Sequence, residues 1–393
     1  MRILLLGNFA PDRQESMLRF SRLLAAGLRE RGHEVTTWSP EPRLVRLLPR
    51  YRYGGPMKLV GYVDKFVLFP QSVRRRLARE QRADVVHIVD HANSVYAPLF
   101  ARPNVLATCH DLLQIRAARG EFPQHRVSRL GQRYQAWILE NIARLPHVVV
   151  PSQQTARDLQ RLTNHPNEHV TVIPLALNYP YQPLPLASAR LVLGRMLVER
   201  GLPPGLLEHG GRSFLLNIGG GQWYKNREGL LATYAELRRL MNPAPRLVMV
   251  GKPLAPHLHV LLHRLNLQND VVHLSNLSEP QLEALYSAAQ ALLFPSWHEG
   301  FGWPIAEAQA CGCPVFTSER APMTEVGGDA ACYLDPADPQ ESARRIALAW
   351  PRLSDMSRRG LERTDLWSES LMFDRYLATY EKLAATAASF AAA

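Results

Sequence analysis

Two glutamates, Glu299 and Glu307, are the residues whose type and spacing most clearly indicate chemistry in this chain. A glycine-rich stretch follows the first glutamate and leads to Pro304, which favours the first turn of a helix because its φ is preset and it lacks an N–H. The unpaired amides of such a turn suit an anion. Three more amides precede that turn, those of Gly300, Phe301 and Gly302. Since carboxylates beside an anion are expected to meet hydroxyls, the pattern predicts a ligand that is both phosphorylated and polyhydroxylated.

A second glycine-rich loop follows the predicted strand Ser213–Ile218. Its first residues are Gly219, Gly220 and Gly221, and it continues to Lys225, Asn226 and Arg227. Glycines let the backbone approach a bulky anion, and a lysine supplies a compact positive charge beside it. Open α/β sheets bind ligands beyond the carboxyl ends of their strands, and this loop occupies such a position. The loop is therefore a second candidate phosphate site, although a glycine turn with a surface lysine remains the alternative.

The string around Glu299 and Glu307 resembles the signature of the retaining GT-B glycosyltransferases of the "group 1" family (family 4). The resemblance implies two Rossmann-like α/β domains with doubly wound parallel sheets facing a cleft, and a C-terminal helix that crosses back to the first domain. It also implies metal-independent, retaining transfer of a hexose-type sugar from a nucleotide diphosphate sugar to a glycan or lipid-linked acceptor hydroxyl in surface polysaccharide assembly. In that family Glu299 would bind hydroxyls of the transferred sugar, Glu307 the ribose hydroxyls, and Lys225 the diphosphate.

Further roles follow from the same resemblance. His110, at the end of the predicted strand Val105–Thr108, would contact the donor sugar. The backbone around Asn276 and Leu277 would read the edge of the base, and Gly251 would lie near the base unless it is a plain strand-to-helix turn. Tyr224 stands where the family usually has an arginine, which makes Arg227 the fallback for the second phosphate-binding cation. The first loop, residues 7–16, departs most from the family and its contacts are not assigned.

Short β-branched runs alternate with amphipathic helical stretches along the whole chain, as in doubly wound parallel sheets. A proline-rich interruption over residues 178–211 predicts the domain boundary. We therefore expect an acceptor-binding domain over residues 1–180, a nucleotide-sugar-binding domain over 181–365 and a C-terminal helix over 366–393. The helical spacing of apolar residues after residue 370 supports that last element.

Length and composition fit a globular protein of two domains. The chain has 393 residues, of which 46% are apolar and 21% charged. It contains no run of about 18 apolar residues, and its apolar start is too short for a signal peptide, so we expect a cytoplasmic protein. The four cysteines are expected to be buried thiols. No Asp-x-Asp motif or cofactor signature is apparent, so we expect neither a metal nor a cofactor.

Positive charge is concentrated in the first half of the chain. Residues 1–180 hold 26 Lys and Arg against 14 Asp and Glu, whereas the remainder holds 20 against 21. Within residues 43–82, 11 basic residues are interleaved with bulky apolar ones. That mixture favours an anionic membrane surface or a lipid pyrophosphate, so peripheral attachment to the inner face of the plasma membrane is a further expectation. No nucleic-acid motif accompanies the patch, and a solvated basic surface is the alternative.

Other functions account for parts of the sequence. A GT-B-fold nucleotide-sugar epimerase would need more acid and base groups, and a phosphorylase would need a pyridoxal-binding lysine in a different context. A non-enzymatic basic protein that binds membranes or nucleic acid explains residues 43–82 but leaves Glu299 and Glu307 unexplained. A retaining glycoside hydrolase needs two carboxyls about 5 Å apart across one bond, and the phosphate-binding loops would then have no purpose.

Overall fold

A computed structural model describes residues 1–48, 57–80, 82–100, 104–207 and 214–392. The chain forms two compact units. Unit 1 comprises Met1–Asn178 together with Glu369–Ala393, and unit 2 comprises Tyr179–Ser368. Each unit is an α/β structure built on one sheet.

Unit 1 contains a sheet of six strands in the order β2-β1-β3-β4-β5-β6, and every neighbouring pair is parallel. The central strands are buried on both faces, which explains their continuous apolar runs. The order of the strands reverses between β1 and β3, where Leu5 lies opposite His87. The strands are β1 (Arg2–Leu6), β2 (Glu34–Trp38), β3 (Val85–Ile88), β4 (Val105–Thr108), β5 (His147–Val150) and β6 (Val170–Val172).

Helices cover this sheet and place their apolar faces on it. The first helix buries Phe20, Leu24 and Leu28 at helical spacing, and Gly32 follows its end with a φ of +80° that favours glycine. Helices α2 and α3 are joined by a π-helical turn, Asp64–Leu68. The helices are α1 (Glu15–Glu30), α2 (Met57–Val63), α3 (Phe69–Leu77), α4 (Leu113–Ala118), α5 (Arg129–Ile142) and α6 (Gln153–Thr163).

The C-terminal helix of the chain, Glu369–Ala392, also belongs to unit 1. Its Tyr380 hydroxyl lies 2.7 Å from Nδ1 of His87 in β3, and its Tyr376 hydroxyl lies 3.0 Å from Oγ1 of Thr108 in β4. Nε2 of His87 is 2.8 Å from the same Thr108 oxygen. Burial lowers the pKa of His87 to about 3, so the ring is neutral in this network.

Unit 2 repeats the architecture with six parallel strands in the order β12-β11-β10-β7-β8-β9. Here the order reverses between β7 and β10, where Leu216 lies opposite Leu292. The strands are β7 (Leu215–Ile218), β8 (Leu247–Val250), β9 (Val271–Leu274), β10 (Ala291–Phe294), β11 (Val315–Ser318) and β12 (Ala331–Leu334).

One helix of unit 2 was not foreseen from the sequence. Residues 186–199 lie inside the proline-rich stretch that predicted an interruption, yet they form a helix that buries Leu193, Met196 and Leu197. The helices of unit 2 are α7 (Leu186–Glu199), α8 (Arg227–Leu240), α9 (Pro256–Arg264), α10 (Glu279–Ala288), α11 (Trp303–Ala310), α12 (Met323–Gly327), α13 (Pro339–Ala349) and α14 (Leu353–Glu362). The C-terminal helix Glu369–Ala392 is α15.

The predicted α/β class, with two doubly wound parallel sheets and a C-terminal helix returning to the first of them, is confirmed. The predicted strand Val105–Thr108 is β4, and the predicted strand Ser213–Ile218 corresponds to β7, which begins at Leu215. Ser213 lies outside the described residues. The expectation of four buried cysteines was wrong for Cys332, which is half-buried near the sheet edge, because β12 has a neighbour on one side only. No helix of the described residues is long and apolar enough to cross a membrane.

Candidate functional site

The two glycine-rich loops of unit 2 follow neighbouring strands. Gly219 comes directly after β7, and the loop that carries Glu299 follows β10, the strand paired with β7. This is the point where the strand order reverses, and doubly wound sheets bind ligands at such points because the loops on either side diverge. A hydrogen bond of 2.7 Å from the Trp297 amide to the Tyr224 carbonyl joins the two loops.

Lys225 and Glu299, 74 residues apart in sequence, form an ion pair at this position. The Lys225 Nζ atom donates to Glu299 Oε1 at 2.7 Å and to Oε2 at 2.8 Å. The side chains are 16% and 7% exposed, respectively, so little water screens the pair. The ammonium group also lies 5.2 Å from the centroid of the Phe294 ring at the end of β10. The structure therefore brings together the cation and the carboxylate that the sequence singled out.

Asn226 holds the two loops in this arrangement. Its backbone adopts a left-handed φ of +52°, and its side-chain oxygen accepts from the Gly229 amide at 3.2 Å, which caps α8. Its amide nitrogen donates to the Pro295 carbonyl at 3.0 Å and to the Pro336 carbonyl at 3.3 Å. The carboxamide is thus engaged within the protein, and it positions Lys225 by tying the β7 loop to the β10 loop.

Arg227 is a buried cation below the first glycine loop. Its guanidinium donates to the Gly219 carbonyl at 2.7 Å and to the Lys252 carbonyl at 3.1 Å. Burial lowers its pKa from the usual value, and no carboxylate of the described residues lies within 4.0 Å of it. The buried Nε atom has no hydrogen-bond partner among them. The arginine therefore fixes the carbonyl side of the loop and contributes positive potential there.

Gly251, at the end of β8, permits this close approach. Its φ is +143°, and a Cβ atom at that position would lie 2.0 Å from the Gly219 carbonyl oxygen. Any side chain would separate the β7 and β8 loops, so the residue has a packing requirement for glycine. Gly220 and Gly221 continue the β7 loop after Gly219, and a Cβ on Gly221 would meet nothing within 4 Å.

The helix that follows Glu299 presents its amino end at the same edge of the sheet. Gly302 precedes α11 with a φ of +106°, and Pro304 is the second helical residue, in the first turn as the sequence predicted. No acceptor in the described parts of the chain pairs with the amides of Phe301 and Gly302. The Phe301 side chain is buried against Trp367, with ring centroids 5.4 Å apart, so that residue offers its backbone to a ligand.

Glu307 lies one turn into α11 and is 8% exposed. Its Oε2 accepts a hydrogen bond of 2.6 Å from the hydroxyl of Tyr286 in α10. Burial is the main reason that the pKa of Tyr286 lies far above its usual range, and the neighbouring Glu307 raises it further. The phenol therefore remains a hydrogen-bond donor. The sequence analysis missed Tyr286, because a tyrosine within an amphipathic helix is typical of a core residue.

Asn276 and Leu277 lie apart from the ion pair. They follow β9, the edge strand two places from β7, which corresponds to about 10 Å at the usual strand spacing. Arg200 donates to the Asn276 carbonyl at 3.2 Å and Asn276 has a left-handed φ of +53°. Ser278 caps the following helix, with its amide donating to Gln281 Oε1 at 3.1 Å.

His110, the candidate in unit 1, is buried after β4. Its Nε2–H donates to the Val89 carbonyl at 2.9 Å, and its Nδ1 atom is buried without a hydrogen-bond partner in the described residues. Burial lowers the pKa of His110 although Asp90 opposes that shift, so the ring is neutral and Nδ1 is an acceptor. Asp111 caps the start of α4 by accepting from the Leu113 amide at 2.9 Å.

A polar cluster lies next to His110 where the strand order of unit 1 reverses. The Asn8 amide, after β1, donates to Asp90 Oδ2 at 2.5 Å and to Gln14 Oε1 at 2.7 Å. Burial by itself would raise the pKa of Asp90, but nearby His91 and the hydrogen bonds from Ala92 and Asn8 outweigh it, and the pKa lies below its usual value. This network fixes the first loop, whose contacts the sequence did not assign.

The same loop is also held at Asp12, which accepts a hydrogen bond from the Lys65 ammonium group at 2.7 Å. Both side chains are nearly buried, at 5% and 9% exposed. No group of three His, Cys, Asp or Glu side chains that could hold a metal ion occurs within the described ranges.

Comparisons with known proteins agree with these observations. Residues 202–351 match the family described as Glycosyl transferases group 1, and residues 19–178 match Glycosyltransferase Family 4. The chain is 28% identical over 287 residues to O-antigen chain mannosyltransferase B of Escherichia coli, covering 72% of this chain and 71% of that protein.

Solved structures are similar over nearly the whole length. The sucrose-phosphate synthase of Thermosynechococcus elongatus superposes with a TM-score of 0.72 at 19% identity, covering 98% of this chain and 100% of that one. HepE of Anabaena, solved in complex with UDP and glucose, superposes with a TM-score of 0.66 at 17% identity, covering 97% of this chain and 99% of that one. At these identities the similarity concerns the fold.

Proposed function

Because the chain belongs to the group 1 glycosyltransferases of family 4, we propose that it uses a nucleotide diphosphate sugar bound by unit 2. The transferred group is a hexose-type sugar, and the acceptor is a hydroxyl of a glycan or a lipid-linked saccharide in surface polysaccharide assembly. The transfer retains the anomeric configuration and needs no metal ion.

The observation that carries this proposal is the Lys225–Glu299 pair at the point of strand reversal in unit 2. A diphosphate and a sugar are joined through one oxygen, so their receptor needs a cation and a hydroxyl acceptor side by side. The paired side chains supply both groups within hydrogen-bonding distance of each other. A structural ion pair would have no need of the adjacent glycine loop or the helix amino end.

In the proposed reaction, the chief task is to stabilise the diphosphate as its bond to the sugar breaks. The Lys225 ammonium, the amides of Phe301 and Gly302, and the amino end of α11 present positive charge that is already oriented. Glu299 would accept hydrogen bonds from hydroxyls of the sugar, and Glu307 would accept them from hydroxyls of the ribose. Each such bond to a charged acceptor contributes about 1.5–3 kcal/mol. The leaving phosphate would take the proton of the acceptor hydroxyl on the face from which it departs.

The other candidate residues have supporting roles in the proposal. Asn226 and Arg227 act through the loop backbone, since their polar groups are engaged with carbonyls. His110 contributes Nδ1 as an acceptor for a donor-sugar hydroxyl, because Nε2 is held by Val89. The loop after β9 at Asn276 and Leu277 is assigned to the base, and Gly251 to the close packing that shapes the loop beside it.

The comparisons support a polysaccharide role and suggest donors to try first. The Escherichia coli relative is named a mannosyltransferase of the O-antigen chain, and HepE holds UDP and glucose. Residues 43–82 are proposed to contact an anionic membrane surface, where a lipid-linked acceptor would be found. Arg50 and Arg52 of that stretch lie outside the described residues.

The proposal is tested by supplying UDP-glucose, GDP-mannose and ADP-glucose, each with a lipid extract of bacterial inner membranes, and measuring the nucleoside diphosphate released. One donor should be consumed only when the extract is present, equally well in EDTA, and NMR of the product should show the anomeric configuration of the donor. Glu299→Gln should abolish the reaction, whereas the exposed Glu228→Gln should leave it intact. A Glu299→Gln protein with full activity would contradict the site assignment.

The same experiment separates the remaining alternatives within the fold. A nucleotide-sugar epimerase would convert the donor to its epimer without any extract and without releasing nucleoside diphosphate. A phosphorylase would require inorganic phosphate and release a sugar phosphate. Either result would overturn the proposed transfer while leaving the family assignment unchanged.

A further inference from the structure

A pocket of about 340 Å³ lies beside α3 in unit 1, within the stretch of residues 43–82 that is proposed to contact a membrane. Four arginines line it: three from α3 and the turn that follows, and one from the segment that leads to α2. The remaining lining residues are Leu68, Gln71, Ser72 and Glu80. The arginines are Arg43, Arg75, Arg76 and Arg79.

The positive charge of this pocket is only partly compensated. Glu41 accepts from Arg43 and from Arg76, each at 3.4 Å, and its side chain is 53% exposed, so both pairs are long and well solvated. No carboxylate of the described residues lies within 4.0 Å of Arg75 or Arg79. The pocket therefore presents at least two guanidinium groups that are available to an anion.

Exposed apolar side chains continue directly from the pocket along the same helical segment. Leu59, Val63 and Val67 follow one another at intervals of four residues and are 57%, 38% and 48% exposed, respectively. The same interval leads on to Gln71, Arg75 and Arg79, which are exposed beside the pocket. Successive residues at this spacing lie side by side on a helix, so Val67 neighbours Gln71, and Gln71 neighbours Arg75. The apolar row therefore meets the basic row at Val67 and Gln71.

Helix α5 widens the apolar row. Tyr62 and Phe66 pack on Tyr134 and Trp137 of α5, with centroid distances of 6.1 Å for Tyr62–Tyr134 and 5.5 Å for Phe66–Trp137. Trp137 is nevertheless 41% exposed, and Leu130, on the same side of α5, is 63% exposed. Tryptophan at the edge of an apolar patch, beside basic residues, is typical of surfaces that lie at a membrane–water interface.

We propose that the arginine pocket binds the phosphate groups of anionic phospholipids while Leu59, Val63 and Val67 enter the interfacial layer of the bilayer. The inference rests on the membrane contact included in the proposed function and localises it. A phosphodiester fits the charge of the pocket, and only a phosphate joined to a lipid would also occupy the adjacent apolar row. A free phosphate or a nucleotide would leave that row in water.

The test is cosedimentation of the full chain with vesicles of phosphatidylcholine alone and of phosphatidylglycerol mixed with phosphatidylcholine. The wild-type chain should bind the mixed vesicles and not the neutral ones. Arg75→Gln/Arg79→Gln should weaken binding about 30-fold, since each basic residue near an anionic surface contributes about fivefold. The matched control is Arg264→Gln/Arg344→Gln, which removes the same charge from exposed positions of unit 2 and should bind like the wild type.

A second pair of variants tests the apolar row. Leu59→Gln/Val67→Gln should weaken binding to the mixed vesicles at least tenfold, whereas Val260→Gln/Leu348→Gln, at exposed positions of unit 2, should not. Inorganic phosphate or pyrophosphate at constant ionic strength should compete poorly. If the pocket variant binds like its control, or if pyrophosphate displaces the chain from vesicles at stoichiometric concentration, the lipid assignment is overturned.

Nucleoside diphosphate binding, measured on the same proteins, keeps this inference separate from the proposed function. The pocket variants should retain it, because they lie outside unit 2. Failure of the wild-type chain to bind mixed vesicles would overturn the membrane contact, with donor binding unaffected. Loss of nucleotide binding in the wild type would overturn the transferase site, with vesicle binding unaffected.

Discussion

Removal of Lys225 should destabilise unit 2 because it leaves a carboxylate behind. In Lys225→Met, the Glu299 carboxyl group, which is 7% exposed, would lose two hydrogen bonds of 2.7 and 2.8 Å. Breaking a fully buried pair costs about 3–5 kcal/mol, and an exposed pair contributes less than about 1 kcal/mol. The partial burial of this pair places the expected loss at about 2–3 kcal/mol. For a unit of this size that loss lowers Tm by roughly 5–10 °C.

A double-mutant cycle isolates the interaction from the other effects of each substitution. Glu299→Gln removes the charge that Lys225 compensates, so Lys225→Met/Glu299→Gln should be more stable than the sum of the single losses by at least about 1 kcal/mol. The measurement is urea unfolding of the four proteins without ligand, followed by tryptophan fluorescence. If the two losses add within about 0.5 kcal/mol, the side chains are not coupled and the geometry argued for the site is refuted.

Four other substitutions have definite expected outcomes. The pKa of His87 is about 3 in the folded chain, below its ordinary value of 6.5. The neutral ring therefore stabilises the folded chain fully above pH 6.5, and the free energy of unfolding falls by about 2 kcal/mol by pH 5. In His87→Gln the free energy of unfolding should change by that much less over the same pH range. Tyr286→Phe removes the hydroxyl that donates to Glu307, so KM for the donor should rise about fivefold to thirtyfold with a smaller change in kcat. Gly251→Ala should cost about 3 kcal/mol in urea unfolding through its contact with the next loop, whereas Gly194→Ala, with open space around it inside α7, should stabilise by about 1 kcal/mol.

The strands could be predicted because parallel strands buried on both faces must be continuously apolar. Residues 291–294 and 3–6 are examples, since each is an apolar run that lies in a strand with every side chain buried. Helix α7 could not be predicted in the same way. Its flanking prolines and glycines indicate an interruption locally, and only packing against α10 in the folded unit stabilises the helix between them.

The sequence indicated candidate residues one by one but not their mutual contacts. Lys225 and Glu299 were assigned to phosphate and sugar, yet their ion pair depends on β7 lying beside β10, which no local pattern encodes. Asn226 was assigned to the donor, whereas the structure engages its amide with two carbonyls. Such long-range contacts follow from topology.

Some contacts had no local signal at all. Asp12 and Lys65 are 53 residues apart, and nothing in either segment indicates that they form a nearly buried pair. Tyr286 was overlooked because its spacing is equally typical of core packing. A search for tyrosines on the helix that precedes β10 would have found it, since that helix must pack beside α11.

The central claim, that unit 2 binds a nucleoside diphosphate at Lys225, is tested most directly by thermal unfolding with UDP, GDP, ADP, CMP and dTDP, each with and without EDTA. One nucleotide should stand out, raising the free energy of unfolding by about 2.7 kcal/mol at a hundred times its Kd. The gain should be the same in EDTA and should disappear in Lys225→Met. A chain that none of the nucleotides stabilises, or a Lys225→Met variant stabilised as fully as the wild type, would contradict the account.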